Sequence, residues 1–540
     1  MNRLLVLTLA LGGVWQSNLR SADAGETLGT IRFDVSGKEP ARAHVTRGVK
    51  LLHHMTYIEA EREFTAALEA DPACALARWG RAMTIVHPVW PDEPNAAELK
   101  RGRDEVQAGL AAPPRTPRER AYFGPVEAFF RDGANRTHAA RLQAMDEAWA
   151  RVAAEYPDDL DAVAFSALFS LGPVRYLPKD QSHRVQLAAG ALVQKVLAQI
   201  PDHPGAQHYK IHAYDYPLLA DRALEVCDAY GNLAPGVSHA LHMPTHIYTR
   251  RGLWAKSIEF NLRSAEAARK VTASGLSNHN SLHAFDYLVY AYLQRGQYRE
   301  ADAVRKKVAA LPGPFTGSGA ATAFALAAIP ARCALERHAW DEAAQLALRQ
   351  PVAFPWTDAF PHCDSIGQFA RAIGGARSGK LDIARAAIAE LERLHGRLAA
   401  TQRTSYWTSQ AETQLLAARG WVRLKEGNAD EAVALLRRAA ELETTADKEA
   451  VTPGEVLPAG ELLGDLLAEI GRHGDALAAY EAVLAVSPNR FNSVHGAARS
   501  AQLGGDATKA AAHYRTLLEF AADADAGNDR LAQARQFGVR

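Results

Sequence analysis

Three segments put eight of the chain's twenty histidines into 84 of its 540 residues: HPGAQHYKIHAYD (203–215), HALHMPTH (239–246) and HNSLHAFD (279–286). Neutral imidazole is the commonest nitrogen ligand of zinc, copper, iron and nickel, and carboxylates complete such ligand sets. His208, His212 and Asp215 have the content of a two-histidine, one-carboxylate site, and His239, His242 and His246 supply a second trio. His279, His283 and Asp286 extend the set. These nine residues fit one transition metal ion (copper, zinc or iron) with carboxylates orienting the imidazoles, or two such ions, and spacing alone does not choose. An open position on such a metal would activate water or dioxygen; whether the chain is an enzyme stays open. The competing readings are a polar groove that takes an organic anion or peptide through protonatable histidines, and plain packing.

Such ligands need rods to hold them in register, and the composition supplies helix formers, Ala, Leu, Arg and Glu above all. The stretch LGDLLAEIGRHGDALAAYEAVLAVSP (463–488) carries Ala476, Tyr480 and a closing Pro488, and Ala510 and Tyr514 repeat the first two 34 residues later. This resembles the tetratricopeptide repeat (TPR): a small residue, an aromatic four later, a terminal proline. The same small position recurs at Ala432, Ala384, Ala343, Ala301, Ser257, Ala223 and Ala60, several of them at the longer spacings of 41 to 48. The resemblance implies an all-α fold, an α-solenoid of about ten helix pairs whose stacked repeats wind into a superhelix with a concave groove.

In that register His208, His212 and Asp215 take positions 5, 9 and 12 of a first helix, and His239, His242 and His246 take 2, 5 and 9 of the next. His283, Asp286 and Tyr290 take 2, 5 and 9 of a third, with His279 a turn earlier. At 100° per residue these positions share a sector of roughly 80°. The resemblance further implies that this face lines the concave groove. Pro244 is the irregularity: it either kinks a continuous helix or starts one, which would leave His239 and His242 in the preceding loop. The motifs HPGAxHYxIHAxD and HAxHMPTHI also look like those of a group of secreted bacterial tetratricopeptide proteins, which implies export but no reaction.

Residues 1–24 read as a secretory signal, with Arg3, an apolar run over 4–15 and the small-residue junction Ala22-Asp23-Ala24. The run is short of the roughly 20 residues needed to span a bilayer, so no membrane span is expected after signal removal and the protein is placed in the periplasm or outside the cell. The remainder divides into N-terminal repeats (25–200) with a proline-rich irregular insertion at 85–120, the central histidine-rich repeats (201–310) and C-terminal repeats (311–540). Residues 311–319 and 446–458 read as loops. Sixty-one basic and sixty-one acidic side chains leave no net field to attract nucleic acid. Small-molecule, peptide or protein partners in the groove remain open. Four scattered cysteines, Cys74, Cys227, Cys333 and Cys363, read as small buried residues.

His53 and His87 stand 34 apart and, with His54, read as caps at helix C-termini or as residues at the groove edge. The triplet His362-Cys363-Asp364 is ligand-like but partly explained by helix capping. His138, His183, His338, His395, His473, His495 and His513 read as solvated. No phosphate loop, dinucleotide fingerprint, nucleophile elbow or HExxH is present.

Overall fold

A computed structural model describes residues 27–90, 92–111, 116–272, 276–401, 405–445 and 447–538. The expected export signal at 1–24 lies outside them. The described chain is an all-α array of antiparallel helix pairs, with a single two-residue parallel pairing of Ser277–Asn278 on Phe315–Thr316.

The repeat signal maps onto one structural position. Ala60, Ser257, Ala301, Ala343, Ala384, Ala432, Ala476 and Ala510 are each the fourth residue of a helix, and Ala223 is the fourth of a short 3-10 turn. All nine are fully buried. A small side chain there lets the second helix of a pair approach the first at close range, and a larger one would hold them apart. The aromatic four residues on then fills the space between neighbouring first helices. Tyr480 is cradled by Gly464 and Gly496, where an added Cβ would come to 2.7 and 2.4 Å of its ring. Phe64 is held in the same way by Gly48 and Gly80, at 2.7 and 2.4 Å. In both cases the glycines lie sixteen residues before and after the aromatic.

One hydrophobic core runs from Leu28 to Phe260, a second from Ala265 to Ala497, and a third closes the C-terminal end. The histidine segments straddle the seam of the first two: the helices carrying residues 203–246 belong to the first core and the helix His279–Gln294 to the second. The array also folds back on itself. Trp254 Nε1 donates to the Asn489 carbonyl at 2.7 Å, the Phe491 amide donates to Gln294 Oε1 at 2.9 Å, and Arg295 pairs with Asp523 at 2.6 Å. The loop at 447–458 crosses in the same sense, pairing Glu449 with Arg175 at 2.9 Å and Asp447 with Lys179 at 3.0 Å. The expected open groove face is therefore covered where the histidines sit.

The irregular insertion expected at 85–120 is non-helical at 85–90 and 92–95, but ordinary helices, Ala96–Ala111 and Pro117–Phe130, occupy most of the remainder. Pro117, read as a breaker, sits at the first turn behind Thr116, whose hydroxyl accepts from the Glu119 amide. Proline costs nothing there, because its missing N–H has no helical partner to lose. No helix among the described residues is long and apolar enough to cross a membrane.

Candidate metal centre

Four helices place the histidines. Pro204–Tyr214 starts at Pro204 behind His203, whose ring accepts from the Ala206 amide at 3.1 Å, and it carries His208 and His212 one turn apart. Ser238–His242 and Pro244–Arg250 follow each other directly. Met243 between them has φ −53° and ψ −41°, so the backbone stays in helical space, and Pro244 starts the second helix while His239 and His242 sit in the short helix before it rather than in a loop. His279–Gln294 carries His283, and Trp254–Val271 backs the group with Asn261.

Two trios result: His208, His212 and His239, and His242, His246 and His283. Within each, one ring nitrogen per residue lies within 4.8 Å of the others. His208 Nε2 and His212 Nε2 are 3.1 Å apart, and so are His242 Nε2 and His246 Nε2.

The outer nitrogens settle what the inner ones can do. His246 Nδ1 donates to Asp215 Oδ2 at 2.9 Å, and His242 Nδ1 donates to Asn261 Oδ1 at 2.8 Å. The Asn261 amide is oriented in turn, because its Nδ2 donates to the Ser257 carbonyl at 2.8 Å. With both ring protons committed outward, the two Nε2 atoms face each other as lone pairs with no proton between them. His208 Nδ1 likewise donates to the His53 carbonyl at 2.7 Å, which turns its Nε2 inward. A carboxylate, amide or backbone carbonyl on the far nitrogen is how a metal-ligating histidine is fixed in tautomer and direction.

Burial holds these rings neutral. It carries His208, His239, His242 and His283 well below the ordinary imidazole value and His212 down to about 3, and the neighbouring histidines push the same way. His246 is lowered by burial too, against the opposing pull of Asp215. Asp215 resists its own burial because Lys448 and Arg250 flank it, at 3.2 Å (Nζ) and 2.8 Å (Nε), and hold its carboxyl well below the usual range.

Two of the nine sequence candidates stand apart. Asp286 turns away from the histidines and pairs with Arg332 Nε at 3.0 Å, both side chains fully buried. The ring at the next position, Tyr287, faces the site instead, 4.7 Å from His242, while its hydroxyl donates to the Thr452 carbonyl at 3.0 Å. His279 lies against Trp90 at the rim with its Nδ1 unpartnered, outside either trio.

A third cluster was invisible in the sequence. His53 ends the helix Glu39–His53 and His54 is its C-cap residue, as expected, but both are wholly buried. Asp161 Oδ1 accepts from His53 Nε2 at 2.9 Å and lies 3.3 Å from His203 Nε2. His53 Nδ1 accepts from the Tyr209 hydroxyl at 2.9 Å, and His203 Nδ1 is the helix cap just described. In these tautomers each ring nitrogen of the trio carries a proton or accepts one, and the lone pairs left without a partner are those of Asp161 Oδ2. The trio is an anchor for a buried carboxylate, and His53 passes order to the centre through its carbonyl on His208.

Other expectations change as well. His362 stacks on Trp407 at 4.5 Å and Asp364 binds Arg349 at 2.8 Å, so that triplet does not join the centre. His138 and His183, read as solvated, are buried. Asn261 and Lys448 had no local signal, since both reach the site only through tertiary folding. The four cysteines are buried, as expected.

No family model matches the chain, and no curated protein matches it. Among solved structures it is similar to the human IFIT1 dimer with PPP-AAAA, at 12% identity and a TM-score of 0.36, over 91% of this chain and 96% of that one.

Proposed function

We propose that this chain is an exported α-solenoid protein that binds a transition metal through His208, His212, His239, His242, His246 and His283. The observation that carries the reading is the 3.1 Å approach of His242 Nε2 to His246 Nε2 with both Nδ1 protons donated elsewhere. Two converging lone pairs repel, and a cation between them removes the repulsion. With metal–nitrogen bonds of about 2.0–2.1 Å, that separation subtends roughly 100° at the ion, an ordinary angle for imidazole pairs. Asp215 and Asn261 then act as orienting acceptors, and Asp286 belongs to the Arg332 pair. Export rests on the signal pattern at 1–24, and activation of water or dioxygen on the ligand chemistry.

Neutral buried rings are poor receptors for an organic anion or acidic peptide, which favours the metal over a groove of protonatable histidines. Protein prepared without a histidine tag in metal-replete medium retains copper, zinc or iron through gel filtration, and His242→Ala with His246→Ala removes it with helicity unchanged. Wild-type protein that emerges folded and metal-free sinks the proposal.

A further inference from the structure

The two trios are built alike. Each takes an i, i+4 pair and a single histidine from a later helix: His208 and His212 of Pro204–Tyr214 with His239, then His242 and His246, from the consecutive helices Ser238–His242 and Pro244–Arg250, with His283 of His279–Gln294. The same three-nitrogen set thus occurs twice, one repeat further on. The sets are neighbours, because His239 and His242 share the five-residue helix Ser238–His242 and are offset along its axis by about 4.5 Å.

The charge around them is unusual for such a pair. All six ligands are neutral imidazoles, and the carboxylate nearest to them, Asp215, is already shared among His246, Arg250 and Lys448. Two divalent ions would place four positive charges in a buried site whose one anion is matched by two cations. Uncompensated buried charge is strongly unfavourable, so the site prefers ions of lower charge or an anionic bridge that arrives with them. Copper meets both conditions: imidazole is among its preferred ligands, and it is stable as a monocation. Zinc has no redox change to offer.

Resting on the metal reading above, we infer that the two trios hold a pair of copper ions, and that the substrate class of the reduced pair is dioxygen. In this step each Cu(I) gives one electron, the O–O bond order falls from two to one, and two Cu(II) ions are bridged by peroxide. The dianion supplies the negative charge that the protein withholds. Three nitrogens per ion leave positions free for such a bridge, and His239, whose buried Nε2 has no partner, lies beside Trp90, 5.8 Å between ring centroids.

The test is anaerobic loading of the full mature chain with Cu(I), copper analysis, then an oxygen electrode and electron paramagnetic resonance. Expected are two coppers per chain, one dioxygen consumed per two coppers, and a Cu(II) product silent in resonance because the bridge pairs its spins. His239→Ala and His283→Ala, each checked for native helicity, reduce the content to one copper and abolish oxygen uptake, and the single Cu(I) gives an ordinary Cu(II) signal only after a chemical oxidant such as ferricyanide is added. One copper per wild-type chain, or two that consume no oxygen and give ordinary, uncoupled Cu(II) signals once a chemical oxidant is added, overturns the paired site but leaves metal binding standing. Failure to retain any of copper, zinc or iron sinks both.

Discussion

Asp215 Oδ2 accepts the Nδ1 proton of His246 at 2.9 Å, and this one bond decides which nitrogen of the ring faces its neighbours. The same carboxylate neutralises Arg250 and Lys448. Asp215→Asn therefore lowers metal affinity about 10–100-fold, the usual cost of losing an orienting acceptor. It also lowers stability by about 3–5 kcal/mol, since it leaves two buried cations short of an anion. Chelator competition and urea unfolding read the two effects separately; an unchanged dissociation constant would remove Asp215 from its orienting role.

His53→Ala and His242→Ala should fail in opposite ways. The first strips Asp161 of its closer imidazole donor and costs about 3–5 kcal/mol, but it keeps the backbone carbonyl that His208 uses, so the folded fraction retains metal. The second takes the metal from the trio of His242, His246 and His283 while the melting temperature of metal-free protein changes little. Loss of metal in folded His53→Ala would show that the third cluster is a ligand set after all.

Metal-free protein loses stability in acid through its histidines. Burial takes His53 and His279 to about 4 and His54 and His212 to about 3, against an ordinary value of 6.5. Between those limits the unfolded chain binds more protons than the folded one, so stability is full above about pH 6.5 and falls as the pH drops toward 4. Each such residue contributes a slope of up to about 1.4 kcal/mol per pH unit. Urea midpoints at pH 7.5, 5.5 and 4.5 check this, and a flat profile contradicts it.

Gly205→Ala is a change that raises helix propensity by about 1 kcal/mol at an open site. Here the added Cβ would stand 2.3 Å from His53 Nδ1, and overpacking of that kind costs about 1–3 kcal/mol. The net sign is expected to be destabilising, with weaker metal binding because His53 is displaced from His208. A higher melting temperature with unchanged affinity would refute this.

The array was legible because its signal is local and periodic: Ala476, Tyr480 and their counterparts mark the fourth residue of helix after helix. The i, i+4 pairs His208–His212 and His242–His246 were legible for the same reason. Asp286 misled because position 5 of a groove helix says which way a side chain points only if its neighbours are known, and Arg332 on another helix claimed it. His53 with Asp161, and Asp215 with Lys448, join residues 108 and 233 apart, and no periodic pattern encodes such pairs. The groove itself was misjudged because curvature comes from the sum of many small rotations between repeats.

The contacts of Trp254 with Asn489 and of Gln294 with Phe491 change how the chain must come together. An open array of repeats can nucleate anywhere and zip outward through neighbour contacts alone. Here the middle of the chain is left waiting for a stretch roughly 200 residues further on. Until that stretch arrives, the wall over the histidines is missing, and an ion that enters early finds a solvent-exposed, loosely held set of imidazoles. Loading and ring closure thus become competing events in time, and the order in which they occur decides whether the ion is trapped or lost.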